Sequence, residues 1–464
     1  MVKKGTVVLL QEAMAENKDY IKICLREDIS VICVSRETGN NKYIRFKALY
    51  ENNHQFWLKN EAWEYFLSND DFQKIKNAAT GSESHQEQKT DGGRPETDKN
   101  KMEQSFGKEY ESIATMPEPE RVRHLIEDKN RLDNLIAQKP RQEELITEAL
   151  VETAQDAMLH NHAALKNIIH LSSEEAIKQT QQLVNSTQEL VKSSVQLISA
   201  NIFNDELMNT LVAKSNGTIL QHMTRVYLNG LAFLTYYNNL VSTSSIISKL
   251  RISLDKRQRS FYHSLLPHIH PDDFTLEKVF YGGMRAIMEN DFYNWATGFL
   301  IHDIGKASAV EYHEGEAAYN RDIVIDHVKI GYTSIMNKTN YPKEAGLITG
   351  YHHEYYGDPA GYGYFRSYLE EYKKANPQAK QGFCIAYDLA QILDFETLAY
   401  FPAKVLEILD VFDSVTDPNR KYRKAMTTDE ALAMMEEEFI VKHPKIDMIL
   451  FDIFAKFARE KQAS

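Results

Sequence analysis

The sequence predicts a mainly α-helical protein, with an all-α helical bundle at the C-terminus, a helical segment before it and a small α+β module at the N-terminus. Three observations lead to this fold class. Apolar residues recur at helical spacing after residue 117, alternation typical of strands is almost absent after residue 218, and short strand-like runs lie near the N-terminus. The 464 residues, 43% of them hydrophobic, suffice for two or three domains.

Residues 1–77 are predicted to form a small regulatory module of mixed secondary structure. Val31–Val34 and the alternating run Tyr43–Tyr50 are typical of short strands. Residues 61–76 are typical of a helix. No pattern in this module indicates a reaction, so its regulatory role rests on its position before the other segments.

Residues 78–116 are predicted to be a flexible linker. Between residues 80 and 108, Met102 and Phe106 are the only large apolar side chains, and Gly, Ser and charged residues make up most of the rest. So little apolar surface cannot offset the entropy lost on ordering the chain.

Residues 117–214 are predicted to be a helical segment for signal transmission or dimerisation. Five apolar side chains at steps of seven, four, three and four fall on one helix face: Val184, Val191, Val195, Ile198 and Ile202. The same face also fits an ordinary bundle helix, because no heptad repeat runs through the whole segment. Both interpretations stay open, and a homodimer is one expected assembly.

Charge and cysteine content exclude several classes of protein. A formal net charge of −12 argues against a nucleic-acid polymer as partner, and three cysteines are too few for a disulfide scaffold. No apolar run approaches the roughly 20 residues of a membrane span, and Val7–Leu10 is too short for a secretory signal. We therefore expect a cytoplasmic protein with no membrane span.

Five short blocks of the C-terminal half carry residues suited to catalysis. They are Leu300–Lys306, Asp326–Gly331, Tyr351–Glu354, Leu409–Asp413 and Arg420–Arg423. Imidazole and carboxylate groups are common ligands of first-row metals, and these blocks contain no sulfur ligand. Each block alone occurs often by chance, so the prediction depends on their combination and order.

The adjacent pairs His302–Asp303 and His352–His353 favour a centre with two metal ions. A carboxylate can bridge two ions, and two ions about 3.5–4 Å apart can hold a phosphate, activate a water molecule and stabilise the leaving oxygen. Lys306 lies one helical turn after His302 and can reach the same phosphate as a mobile point charge.

The order of the blocks resembles the HD-GYP subfamily of the HD-domain metal-dependent phosphohydrolases. The resemblance covers roughly residues 215–455 and depends on five motifs in the same order. The matching segments, with the family's HDIGK, HPxxG, HHE, DxxDALT and RPYR in that order, are His302–Lys306, His327–Gly331, His352–Glu354, Asp410–Thr416 and Arg420–Arg423.

This resemblance implies an HD-type bundle over residues 215–464 and two divalent metal ions, either iron or manganese. The metal ligands that it implies are His222, His302, Asp303, His327, His352, His353 and Asp410. Asp303 would bridge the ions, and Lys306 would contact the scissile phosphate. Arg420 and Arg423 would bind the other phosphates, for which a guanidinium fork is well suited.

Two histidines compete for the first ligand position. His222 lies in a segment similar to the family's HxxRV on an amphipathic helix, whereas His270 lies in a loop between Pro267 and Pro271. The helical context favours His222. This choice places an unusual insertion, around residues 239–290, between the first two helices of the family domain.

The chain departs from the family pattern at several positions. Val328 replaces a proline, and the loop after Glu354 has an extra residue and Gly363 in place of the GYP proline, although Tyr362 can still approach a ligand. Thr218 stands where members with three metal ions carry a glutamate, which favours two ions. His313 is interpreted as part of a solvated loop.

The expected function is hydrolysis of cyclic di-GMP to linear pGpG, and onward to GMP, in bacterial signalling. Two alternatives remain. The altered loop could leave a cyclic-dinucleotide receptor that does not turn its ligand over, or the chain could hydrolyse another nucleotide. The abundance of metal-ligand side chains argues against a receptor, and the arginine block Arg420–Arg423 favours a cyclic dinucleotide over other nucleotides.

Overall fold

A computed structural model describes eleven stretches of the chain. They are residues 20–26, 29–35, 110–139, 142–200, 219–267, 269–280, 284–307, 321–356, 361–364, 399–417 and 424–463. The chain divides into two compact units, Met1–Gly93 and Arg94–Ser464. The described part of the chain is mainly α-helical, which confirms the predicted class.

In the first unit the described residues form an antiparallel hairpin. Strand β1 (Tyr20–Arg26) pairs with β2 (Ile29–Ser35), with Tyr20 opposite Ser35 and Ile23 opposite Ile32. β2 includes the predicted strand Val31–Val34. The rest of the predicted α+β module lies outside the described residues, as does most of the predicted linker, so both stay predictions.

The described residues of the second unit form helices joined by loops, with an isolated parallel bridge between Phe280 and Ala399. Its α-helices are α1 (Tyr110–Thr115), α2 (Glu118–Ala137), α3 (Glu143–Ile168), α4 (Ser173–Ser199), α5 (Ile219–Thr243), α6 (Ile246–Ile252), α7 (Lys256–Leu265), α8 (Leu276–Val279), α9 (Glu289–Ile301), α10 (Arg321–Lys338), α11 (Lys343–Tyr351), α12 (Phe401–Thr416), α13 (Thr428–Glu436) and α14 (Met448–Ala463). Two 3₁₀ turns (Pro271–Asp273 and Ile304–Ala307) and a π-helical turn (Glu437–Val441) lie between them.

Helix α5 lies at the centre of this unit. Its side chains are buried on nearly every side, including Tyr227, Leu228, Leu231 and Leu234, and it packs against α3, α4, α9 and α12. An apolar helix with neighbours on several sides is stabilised by burial all round rather than along one stripe. This position carries His222, near the start of α5, into the interior.

The predicted apolar face of the helical segment lies in the core. Ser172 and Glu175 form a capping box that begins α4, and Val184, Val191, Val195 and Ile198 are buried. Ile202 lies outside the described residues. This face therefore packs inside the second unit and does not support a homodimer. The homodimer stays a prediction. Whether residues 117–214 act as a separate functional segment also stays a prediction.

The predicted insertion contributes helices α6, α7 and α8. A capping box of Asp255 and Gln258 begins α7, and α7 packs against α14. Tyr262, on α7, is fully buried, and its hydroxyl donates to Asp447 Oδ2 at 2.9 Å. The insertion is thus joined to the C-terminal helix through a buried polar contact.

None of the helices in the described stretches combines the length and the apolar character that crossing a bilayer would require.

Candidate metal centre

Five segments of the second unit meet at one buried group of imidazoles and carboxylates. We call this group the metal cluster; its members are His222, His302, Asp303, His327, His352, His353 and Asp410. His222 comes from α5, His302 and Asp303 follow α9, His327 lies on α10, His352 and His353 follow α11, and Asp410 lies on α12. All of these side chains except that of Asp410 are buried. The structure thus brings together every metal ligand that the resemblance implies.

Asp303 lies at the centre of the metal cluster. Its Oδ1 is 3.0 Å from His327 Nε2 and 3.7 Å from His352 Nε2, while its Oδ2 is 3.4 Å from His302 Nε2. Lys306, three residues later, donates from Nζ to Asp303 Oδ2. The two carboxylate oxygens therefore face two different sets of nitrogen atoms.

Backbone carbonyls fix the orientation of two rings. His302 Nδ1 donates to the Phe299 carbonyl at 2.8 Å, and His352 Nδ1 donates to the Thr349 carbonyl at 2.7 Å. With Nδ1 protonated, the neutral ring has a lone pair on Nε2, which is the state of a histidine that binds a metal. Both Nε2 atoms point into the metal cluster.

The resulting arrangement fits a cation. His302 Nε2 is buried without a hydrogen-bond partner and faces a carboxylate oxygen, and His352 Nε2 lies 3.5 Å from His327 Nε2. Lone pairs that face one another or face a carboxylate are unfavourable unless a cation or a proton lies between them. The buried donor set could therefore hold a metal ion, in agreement with the prediction of a metal site.

Two ligand groups share Asp303. One contains Asp303, His327, His352 and His353, and the other contains His222, His302 and Asp303; within each group the donor atoms lie within 4.8 Å of one another. A shared carboxylate between two groups is the arrangement expected for a bridging ligand. The number and the identity of the ions stay predictions.

Asp410 closes the metal cluster on the side of α12. Its Oδ1 is 2.9 Å from His222 Nε2, and its Oδ2 is 3.9 Å from His353 Nδ1. Asp410 thus faces one member of each ligand group. The side chains of Asp410 and Lys306 are 14% and 17% exposed, so solvent reaches the metal cluster beside them.

A second carboxylate of α12, that of Asp413, binds the His222 ring nitrogen that does not face Asp410. Asp413 Oδ2 accepts a hydrogen bond from His222 Nδ1 at 2.7 Å, and Arg225 donates to both oxygens of Asp413 and to Asp417. Such a carboxylate fixes the orientation of a metal-binding imidazole and raises its basicity. Sequence reasoning did not assign these three residues. A signal was present, because acidic residues recur at 407, 410 and 413 in α12 and at 417 just after it.

His162 is a further residue that the sequence did not reveal. It lies on α3, is fully buried, and its Nε2 approaches the backbone carbonyl of Asp303 at 3.3 Å. Its Nδ1 is 2.8 Å from the Met158 carbonyl. His162 and Asp303 are 141 positions apart, which explains the omission, since no local motif joins them.

Electrostatics keep the acidic members ionised. Burial raises the pKa of Asp303, but Lys306 and His302 outweigh it and hold this pKa well below its ordinary value. Burial likewise raises the pKa of Asp410, and the hydrogen bond from His222 outweighs it and holds this pKa well below its ordinary value. Both side chains are therefore carboxylates at neutral pH, the form that binds metal ions.

The histidines divide into two kinds. Burial lowers the pKa of His327, and burial together with His352 lowers that of His353 well below its ordinary value, so both rings are neutral. Burial also lowers the pKa of His222, but hydrogen bonds with Asp410 and Asp413 outweigh it and raise this pKa overall. His222 must therefore release a proton before its Nε2 can bind a metal ion.

Glycines permit the close approach of the segments. A Cβ atom on Gly305 would lie 1.9 Å from the His327 carbonyl oxygen, and a Cβ atom on Gly331 would lie 2.6 Å from Thr349 Cγ2. The turn after Asp303 thus packs directly on the backbone of α10. Gly305 permits this contact, and Gly331 leaves room for the Thr349 side chain of α11.

Gly363 has an equally specific environment. A Cβ atom at this position would lie 1.8 Å from Glu354 Oε2, and one on Gly361 would lie 2.7 Å from the Tyr355 nitrogen. A proline at 363 would clash with Glu354, so the altered loop and the glutamate fit each other. Between these glycines, Tyr362 donates its N–H to the His353 carbonyl at 3.0 Å, and its ring lies 4.4 Å from the His353 ring.

Other predicted residues fall elsewhere. His270 is an exposed residue whose Nδ1 accepts from the Asp272 nitrogen, and it is not part of the metal cluster. Of the two candidates for the first ligand position, the structure therefore places His222 beside His302. Arg420, Arg423, Thr218 and His313 lie outside the described residues, and their predicted roles stay predictions.

Comparisons with family models, with curated proteins and with solved structures found no match to this chain.

Proposed function

We propose that this protein is a metal-dependent phosphodiesterase that hydrolyses cyclic di-GMP to linear pGpG, and onward to GMP. The observation that carries the proposal is the Asp303 carboxylate, shared by two buried ligand groups whose nitrogen lone pairs converge on it. Two metal ions in such a site would activate a water molecule and stabilise the charge that develops on the phosphate. The cyclic di-GMP part of the proposal depends on the motif resemblance.

The residues of the chain have separate tasks in this proposal. Asp303 would be shared between the ions, with His302 and His352 oriented by their bonds to backbone carbonyls. Lys306, now paired with Asp303, would turn towards a phosphate oxygen from the solvent side. Tyr362 would flank the ligand beside His353, while Arg420 and Arg423 would bind the second phosphate.

Iron and manganese are the proposed metals, because a donor set of imidazoles and carboxylates without thiolates suits both. The same donor set would also accept zinc, so the choice needs a direct measurement. A cytoplasmic location and a role in bacterial signalling complete the proposal; the location rests on the sequence composition and the signalling role on the proposed activity.

Turnover of cyclic di-GMP tests the proposal. Purified protein is stripped with a chelator, reconstituted anaerobically with Fe²⁺ or Mn²⁺, and compared with the Asp303→Ala variant treated in the same way. We expect pGpG to accumulate only with the intact chain and only with metal. Equal turnover by the variant, or no turnover by metal-loaded wild type with any cyclic dinucleotide, would refute it.

A second candidate is a receptor that binds a cyclic dinucleotide without hydrolysing it. It is favoured by the position of the Tyr362 ring over His353, because the loop covers one face of a proposed metal ligand. A receptor would bind cyclic di-GMP in an equilibrium assay with metal present and would release it unchanged. The turnover experiment with recovered nucleotide separates the two candidates.

A further inference from the structure

Lys404 is a fully buried lysine on the same helix as Asp410 of the metal cluster. It lies on α12, two turns before Asp410, and its side chain is 0% exposed. Its Nζ pairs with Glu407 Oε2 at 2.8 Å, donates to the Glu354 carbonyl oxygen and lies 4.1 Å from the centre of the Tyr356 ring. Burying an ammonium group is costly unless all its partners are in place.

The carbonyl that Lys404 binds belongs to the turn that carries two metal-cluster histidines. Helix α11 ends at Tyr351, and the next residues form a tight turn with Glu354 N–H bound to the Tyr351 carbonyl at 2.9 Å. The His353 carbonyl accepts from Tyr362 N–H, and the Glu354 carbonyl accepts from Lys404. Among the described hydrogen bonds to the backbone of this turn, the one from Lys404 comes from a charged group, and charge-assisted hydrogen bonds are the strong ones.

Further contacts anchor Lys404 and its neighbours to distant helices. Tyr356 donates to Asp447 Oδ2 at 2.9 Å, and Tyr262 from the insertion donates to the same oxygen at 2.9 Å. Asp447 Oδ1 accepts from the Leu450 nitrogen at the start of α14. We call Lys404, Glu407, Glu354, Tyr356, Tyr262 and Asp447 the lysine cluster. It connects the turn after α11 with α7, α12 and α14.

We propose that Lys404 is a positioning residue for the metal centre, because its ammonium group holds the Glu354 carbonyl and so fixes the turn that presents His352 and His353. This inference rests on the proposed metal site and goes beyond the motif residues. It also gives the insertion a role, since Tyr262 braces the lysine cluster from α7. A neutral side chain at 404 would leave the carbonyl buried without its charged donor and let the turn relax.

Binding of Co²⁺ provides the test, because its visible spectrum reports ligand geometry independently of catalysis. Two variants of the full chain are titrated: Lys404→Met, and Lys404→Met with Glu407→Leu, which removes both members of the buried Lys404–Glu407 contact. Replacing a buried pair by apolar residues often preserves stability. We expect Co²⁺ affinity to fall about 10–100-fold in both, with an altered visible spectrum, as for other losses of support behind a metal ligand.

Lys338→Met is the matched control. Lys338 likewise clamps backbone carbonyls, those of Ile169 and Leu171, at 2.6 and 2.7 Å, but it lies at the far end of α10 from His327. We expect this variant to lose stability and to keep wild-type Co²⁺ affinity and spectrum. Far-UV circular dichroism identifies folded variants, and one folded Lys404 variant suffices.

The outcomes separate the inference from the proposed function. Failure of wild type to bind Co²⁺ would overturn the metal site itself. Binding by wild type with unchanged affinity and spectrum in the Lys404 variants would overturn the positioning role alone. The Lys338→Met control could also show a spectral change as large as that of the Lys404 variants. This result would mean that general destabilisation alters the metal site, and it would overturn the positioning role of Lys404.

Discussion

The metal cluster and the lysine cluster share helix α12, yet they compensate buried charge in opposite ways. In the lysine cluster the ammonium group of Lys404 meets Glu407 and a carbonyl, and Asp447 accepts three hydrogen bonds. In the metal cluster, imidazole lone pairs face one another and the Asp303 carboxylate. The ammonium group of the lysine cluster thus meets its partners within the chain, whereas the donor atoms of the metal cluster form a site that could hold a cation.

The largest expected effect is therefore stabilisation of the fold by metal ions that bind to the metal cluster and not to the lysine cluster. A ligand that binds only the folded state adds about 4 kcal/mol to the free energy of unfolding at 1,000 times its Kd. We expect Mn²⁺ to raise the unfolding free energy of chelator-treated wild type by this amount for each ion bound. Urea denaturation with and without Mn²⁺ measures it.

Asp303→Ala is the control for this stabilisation, because it removes the carboxylate that both ligand groups share. The variant should show almost no gain from Mn²⁺. An equal gain in wild type and variant would place the bound ion elsewhere and remove the distinction between the clusters.

The next effect concerns Asp413, which supports the metal cluster without belonging to it. Asp413→Ala would leave Arg225 buried with Asp417 as its remaining acidic partner, and His222 Nδ1 without its acceptor. Breaking one side of a buried ion pair costs about 3–5 kcal/mol, and loss of a carboxylate behind a histidine ligand costs about 10–100-fold in metal affinity. Urea denaturation and Mn²⁺ titration measure the two losses.

Asp452→Ala is the matched control, since Asp452 pairs with Arg257 at the surface. Exposed pairs contribute at most about 1 kcal/mol, so we expect a small loss of stability and unchanged Mn²⁺ affinity. Equal losses of stability and of Mn²⁺ affinity in Asp413→Ala and Asp452→Ala would show that the Arg225–Asp413 pair does not support the metal cluster.

A smaller effect should appear as a pH dependence of the lysine cluster. Burial raises the pKa of Glu407 to about 8, against the lowering influence of Lys404. Because the folded state holds this proton more tightly than the unfolded state, the contribution to stability is complete below pH about 4.5 and is lost as the pH rises towards 8. Between pH 6 and 8, wild type should lose roughly 2 kcal/mol more than Glu407→Gln, which cannot ionise.

Urea denaturation of both proteins at several pH values measures this difference. Parallel curves for wild type and Glu407→Gln would show that Glu407 is ionised in the folded state throughout. The lysine cluster would then carry a standing ion pair rather than a protonated acid beside an ammonium group.

The same contrast explains what the sequence could and could not predict. Helical spacing predicts the buried face of α4, and the motif blocks identify His302, Asp303 and the His352–His353 pair, because these signals are local. The pairing of Arg225 with Asp413 joins residues 188 positions apart, and no single sequence specifies such a partner. Sequence patterns fix which face of a helix is buried, but not which distant charge it will meet there.

Gly363 shows the same limit in another form. When the sequence is compared with the family motif, Gly363 stands where the motif has a proline. In the structure the Glu354 side chain occupies the space that a Cβ atom at 363 would need, so the two residues compensate each other. Only the packed loop reveals this relation.

The smallest expected effect comes from His270, the other candidate for the first ligand position. Its side chain is 69% exposed and contacts Asp272, so His270→Ala should change the unfolding free energy by no more than about 0.5 kcal/mol and leave Mn²⁺ affinity unchanged. His222→Ala removes an imidazole held between Asp410 and Asp413, and should weaken Mn²⁺ binding at least about 10-fold. Parallel Mn²⁺ titrations of the two variants decide between them. Loss of binding in His270→Ala with retention in His222→Ala would move the first ligand to the loop and disconnect α5 from the metal centre.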